Sequence, residues 1–187
     1  MKKFKIDYLL LAVFLSTIFN SATNPFIHKM LISSVSNNII AGEQIFSCLS
    51  IIIAGTIWNK HSDKLFKHFT LYCILEIISM ILIVVVVIIN QNLLLCYILR
   101  VIECALVTRN ISCGCIKLKA IMYSDEKERE KFDNNRKSVS AIATIIGSFV
   151  AMILNLDFNI MLCISVLGNA IYNVICIFIF KVNKNKV

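Results

Sequence analysis

Charge is scarce in this chain. Of its 187 residues 58% are apolar and only 16% are charged, and the mean hydropathy is +0.81. That balance excludes an ordinary soluble domain and makes lipid the main solvent. Signatures of catalysis are missing as well. The sequence holds no H-E-x-x-H, no P-loop, no dinucleotide fingerprint and no nucleophile–base pair, and His28, His61 and His68 are scattered; no enzyme is expected. Cys113 and Cys115 form a C-G-C triplet and not the C-x-x-C of redox or zinc sites. All eight cysteines lie in apolar stretches, where small buried hydrophobes are the simple reading. Neither a metal nor a cofactor is expected.

What is present is a series of six apolar segments, at 6–32, 39–58, 69–89, 93–116, 138–156 and 158–180. Each is long enough to cross about 30 Å of hydrocarbon. Backbone polar groups in lipid must be satisfied within the segment, so these are helices; strand-like alternation is absent. The expectation is an all-α membrane protein with one domain over 1–187 and a long loop at 117–137. Short outer loops would pair the helices as antiparallel hairpins.

The net charge of +8 suggests nucleic acid, but its distribution points elsewhere. The start "MKKFK", the 59–68 stretch, the 117–137 stretch and the tail from Lys181 hold three, three, seven and three basic residues, sixteen of the nineteen. If every segment spans, all four places share one side. The opposite loops, "SSVSNN", "NQN" and Asp157, hold none. This positive-inside bias places both termini in the cytoplasm of a cell (inner) membrane. It accounts for the charge as topology, with the lipid bilayer and no nucleic acid as partner. "MKKFK" before an apolar run also fits a signal peptide, but the bias of the later segments holds only if the first is kept.

Several helices carry polar stripes. Ser16, Asn20, Asn24 and His28 recur every four residues on the first, which also contains Pro25, a residue that kinks helices. Glu43, Ser47 and Ser50 share a face of the second, and Ser165, Asn169 and Asn173 a face of the sixth. Such stripes face other helices or water inside a bundle. The fourth helix is the most unusual, with Arg100, Glu103 and Arg109 within one membrane-length segment. A charge at mid-bilayer costs about 2.5–3.5 kcal/mol on insertion scales, so each needs a partner or water. Arg100 and Glu103 are three apart and can pair; Glu43 lies at the depth of Arg100. Glu76 and Arg109 are candidates for a second ion pair. A voltage sensor is excluded, because Arg100 and Arg109 are nine residues apart.

Two motifs suggest a family. "GTIWNKHSDK", Gly55 to Lys64, resembles the loop signature G-x-x-x-D-[RK]-x-G-[RK]-[RK] of the major facilitator superfamily. Gly55 and Lys60 match and Lys64 falls on the final basic position, whereas Asn59, Ser62 and Asp63 replace the acid, the second glycine and a basic residue. "RVIECA", from Arg100, resembles that family's R-x-x-Q-G-x, with Glu103 for Gln and Cys104 for Gly. The resemblance implies a six-helix bundle similar to the N-terminal half of a facilitator. It implies a secondary transporter that moves a small-molecule solute by alternating access, ion-coupled, with its site near midplane. Arg100 and Glu103 would bind the solute or proton, supported by Glu43, Asn20, Asn24 and His28; Gly55, Asn59, Lys60, Asp63 and Lys64 would form the gating loop. In the family the third and sixth helices face outward, so Glu76 and the stripe on the sixth would meet another chain, either a second copy in a homodimer or a separate six-helix chain. A half-size or truncated transporter is therefore the first expectation. The alternative is a transport-inactive remnant or an accessory protein that keeps the fold.

Overall fold

The computed structural model describes residues 7–33, 36–153 and 157–183. All regular structure among them is helical. The elements are α1 (Tyr8–Ile32), α2 (Asn37–Lys67), α3 (Phe69–Asn90), α4 (Leu93–Glu103), a π-helical turn (Cys104–Thr108), α5 (Arg109–Met122), α6 (Glu126–Ile153) and α7 (Phe158–Asn183). The π turn joins α4 to α5 without a break, so the described residues form six helical rods. Four helices are long and apolar enough to cross a membrane: Asn38–Lys67, Phe69–Asn90, Glu126–Ile153 and Phe158–Asn183.

The rods outrun the apolar segments that mark them. α2 continues nine residues past 58 to Lys67, with a kink at His61 (φ −131°, ψ 25°). The expected 59–68 loop is therefore a kinked helical extension, and His68 alone separates it from α3. No proline or glycine interrupts it, and Phe66 at its end is fully buried against Phe69 (ring centroids 5.7 Å apart) and Phe180 (5.0 Å). Such aromatic pairs add about 0.5–1.5 kcal/mol each beyond burial. The expected 117–137 loop is also mostly helix, with only Tyr123–Asp125 outside it. Asp125 caps α6 by accepting from the Lys127 amide at 3.3 Å. Lys119 of α5 reaches Asp133 of α6 at 2.9 Å, and Phe132 packs on Tyr123.

Of the expected hairpins, α3 with α4 packs closely, but the other rods do not pack chiefly on their chain neighbours. α1 packs chiefly on α6 and α7, α3 on α7 and α4, and α2 on α5. The short turns fix only the ends of the rods, whereas small residues fix which faces can close. A Cβ on Gly147 of α6 would run into the Ile18 carbonyl oxygen of α1 and come within 2.9 Å of Ser21 Cβ. A Cβ on Gly168 of α7 would strike the Phe19 side chain of α1. Small residues at such crossings let membrane helices approach closely. The pairing has a symmetry. Exchanging α1 with the α4–α5 rod, α2 with α6, and α3 with α7 maps α1·α6 onto α5·α2 and α1·α7 onto α4·α3, and leaves α3·α7 in place.

Two apolar cores result. One gathers Trp58, Phe66, Phe69, Leu118, Ile179 and Phe180. The other, built on Ile27, Ile83, Val87, Tyr97 and Leu162, lies toward the opposite ends of α3 and α7. Outside them, large apolar side chains face outward along α2 (Ile45, Leu49, Ile52) and α3 (Ile78, Leu82, Val85). α3 combines a mean hydropathy of 3.0 with only 28% of its apolar window buried. A helix hydrophobic all round and so little covered by its own chain is one made for lipid.

Candidate functional site

A cavity of about 380 Å³ opens between the two cores. The charges that looked out of place in the sequence converge on it: Glu43 from α2, Glu76 from α3, and Arg100 and Glu103 from α4. On α4, Arg100 and Glu103 lie on one face because they are three residues apart.

Its α1 wall is an amide ladder. Asn24 Nδ2 donates to Asn20 Oδ1 (3.3 Å), Asn20 Nδ2 to Asn169 Oδ1 of α7 (3.3 Å), and Ser165 Oγ of α7 to Asn24 Oδ1 (3.1 Å). The sixth rod's stripe thus faces α1 and α3 inside the bundle and not another chain: Ser165 and Asn173 are buried. Glu76 is buried too, 5% exposed. The expectation that these groups look outward is corrected by the placement of α7, which closes against both α1 and α3. The His28 side chain lies outside the described residues.

The acids are held by neutral donors. Tyr97 donates its hydroxyl to Glu43 Oε2. Glu76 accepts from Asn173 Nδ2 and stands 2.7 Å from Thr108 Oγ1; the same oxygen is 3.0 Å from Glu103 Oε1. Thr108 follows Glu103 by five residues, which an α-turn of 3.6 residues puts on different faces. The π turn, whose bonds run from i to i+5, stacks them.

The expected ion pairs do not form. Among the described residues the ion pairs are Lys117–Asp63 and Lys119–Asp133. Glu76 and Arg109 have turned apart: Arg109 Nη2 donates to Ser47 of α2 (2.8 Å), and its Nε is buried without a partner. Equal depth in a bundle does not fix azimuth, and α7 draws Glu76 away. Arg100 lines the cavity with no hydrogen-bond or ion-pair partner among the described residues.

The Gly55–Lys64 segment lies apart from the cavity. Asn59, Lys60 and Lys64 are exposed, and Gly55 has open space where a Cβ would stand. Asp63 is the one anchored charge of that set, paired with Lys117 of α5, whose ammonium also lies 5.4 Å from the centre of the Phe66 ring. Sequence reasoning missed Thr108, Tyr97 and Lys117. Tyr97 precedes Arg100 by three residues and was readable as part of its face; nothing in the sequence marks the π turn that recruits Thr108.

Among the described residues no group of His, Cys, Asp and Glu could hold a metal ion. Comparison with known protein families, with curated proteins and with solved structures finds no match to this chain.

Proposed function

We propose that this chain is a secondary transporter unit of the major-facilitator type, spanning the cell membrane six times with both termini in the cytoplasm, and moving a small solute by alternating access. The observation that carries the reading is the polar cavity, about 380 Å³ within an otherwise apolar bundle and lined by three carboxylates and a guanidinium. Intramembrane ionisable groups are costly and mark solute or proton pathways. Two further observations support it. The exchange of the first three rods with the last three is the pattern of two three-helix repeats, which nest within each half of such transporters. If all six rods span, sixteen of the nineteen basic residues share one side.

In this reading Arg100 binds the solute. It is the cavity's unpartnered cation, and a guanidinium presents a fork that suits a carboxylate or phosphate. Asn20 and Asn24 give the opposite wall adaptable donors and acceptors. Asp63–Lys117 ties the end of α2 to α5 and releases as the rods rock.

The test is transport by purified protein in liposomes, with small organic acids and phosphates as the first solutes. Uptake that falls roughly tenfold or more in Arg100→Ala, the scale of one charge-assisted bond, supports the reading. Failure of every solute tried to move, or to raise the thermal midpoint of the purified protein, overturns it in favour of an accessory membrane protein.

A further inference from the structure

The hydrogens around Glu76 and Glu103 do not add up if both are ionised. Thr108 Oγ1 is within hydrogen-bond distance of both carboxyl groups, at 2.7 and 3.0 Å. A hydroxyl has one hydrogen, so it can donate to only one of them. The second contact needs a hydrogen on the carboxyl side. A separate shortage stands beside it. Asn173 is fully buried and donates Nδ2 to Glu76, yet its Oδ1 is buried with no donor at all. With its oxygen orphaned, the amide is held by its Nδ2 bond to Glu76 Oε2.

We propose that Glu76 and Glu103 share one proton across the Thr108 hydroxyl, and that this proton is the ion coupled to transport. Two arrangements use the same atoms. With the proton on Glu103, its O–H donates to Thr108 Oγ1, Thr108 donates to Glu76 Oε1, and Asn173 Nδ2 donates to Glu76 Oε2. With the proton on Glu76 Oε1, that O–H donates to Thr108 Oγ1, Thr108 donates to Glu103 Oε1, and Asn173 Nδ2 still donates to Glu76 Oε2. Thr108 serves as the relay between the two, and only the π turn puts it there.

Charge balance in the cavity agrees. α2 contributes Glu43, held by Tyr97, and α4 contributes Arg100; Arg109 of α5 does not line the cavity and is turned to Ser47. The other titratable groups facing the pair are the thiols Cys73 of α3, Cys104 of the π turn and Cys115 of α5, the last in contact with Cys176 of α7. Among the described residues, α1 adds the amides of Asn20 and Asn24. Three carboxyl groups against one guanidinium leave two negative charges in excess, of which one proton on the pair removes one. In a membrane interior the smaller excess is the less costly one. An anionic solute on Arg100 changes the count again, which couples solute to proton. This coupling rests on the transport reading; the shared proton does not.

The experiment is infrared difference spectroscopy of the purified protein through a pH series, reading the C=O stretch of protonated carboxyl groups. The wild type is expected to show one protonated carboxyl per chain at neutral pH, shifting in D2O and titrating away as a unit in alkali. Glu76→Gln and Glu103→Gln are each expected to abolish it, since an amide N–H then supplies the missing hydrogen and the remaining acid ionises. Glu43→Gln should leave it intact. No protonated carboxyl in the wild type, or a band that survives undiminished in both variants, overturns the proposal; the wild-type titration decides even if a variant fails to fold. A band that behaves as expected in a protein that moves no solute keeps the shared proton and sinks the transport reading alone.

Discussion

A single phenol ties the N-terminal end of α1 to the junction of α5 and α6. Tyr123 donates its hydroxyl to Asp7, which also accepts from the Leu9 amide at the start of α1. Burial, and then the Asp7 carboxylate, push the Tyr123 phenol above its usual range. The neutral phenol is therefore the folded form. Its contribution is fully present below about pH 10 and is lost as pH rises above that. Tyr123→Phe should cost about 1.5–3 kcal/mol at neutral pH, toward the low end because both residues are part-exposed. The gap in thermal midpoint between variant and wild type should shrink in alkali, and a gap that stays constant to pH about 11 refutes the tether. Residue-scale legibility follows the same physics. Arg100, Glu103, Glu43, Asn20 and Asn24 could be read from the sequence because a polar group in an apolar run has to be solvated by something. Thr108 could not, since a threonine in a membrane helix costs little and attracts no notice. The Glu76–Arg109 pair was misread because depth was used without azimuth.

At the scale of the element, hydropathy locates the middle of a rod and loses its ends. The segments 69–89 and 158–180 match α3 and α7 within a few residues, because caps and lipid boundary coincide there. α6 begins at Glu126, twelve residues before its apolar segment, because "EKEREKFDNNRK" is a good helix former that happens to be polar. Where rods touch, glycine decides the distance. Gly147→Ala pushes a methyl group against the backbone of α1 and should cost about 1–3 kcal/mol, as overpacking does. Gly55→Ala meets open space and should be neutral, or gain up to about 1 kcal/mol of helix propensity. The thermal midpoints should then rank Gly55→Ala at or above wild type and Gly147→Ala clearly below. Equal midpoints for wild type and Gly147→Ala would mean that α1 and α6 do not close on that glycine.

For the whole molecule, the close pairings cross from the first three rods to the last three: α1 with α6 and α7, α3 with α7 and α4, α2 with α5. Within the first three, α2 barely touches α3. Six rods were legible in the apolar runs, but this interlock was not, since short turns constrain ends and say nothing of faces. It has a consequence for folding. In lipid no hydrophobic force drives helices together, so association rests on packing and a few hydrogen bonds of about 0.6 kcal/mol each. Many of the bonds that bridge rods also cross the midpoint, among them Asn20 to Asn169, Asn24 to Ser165, Glu76 to Asn173, and Asp63 to Lys117, while Lys119 to Asp133 stays within the last three. Each three-helix half loses most of its partners when alone. Cutting the chain at Gln91–Asn92, between α3 and α4, and expressing the two pieces together should therefore give one co-purifying species, with a thermal midpoint lowered only by the lost connection. Each piece expressed alone should be degraded or aggregate. If either half alone is monodisperse in detergent and retains its helical signal to the same temperature as the joined pair, the rods pair within halves and the crossed arrangement is wrong.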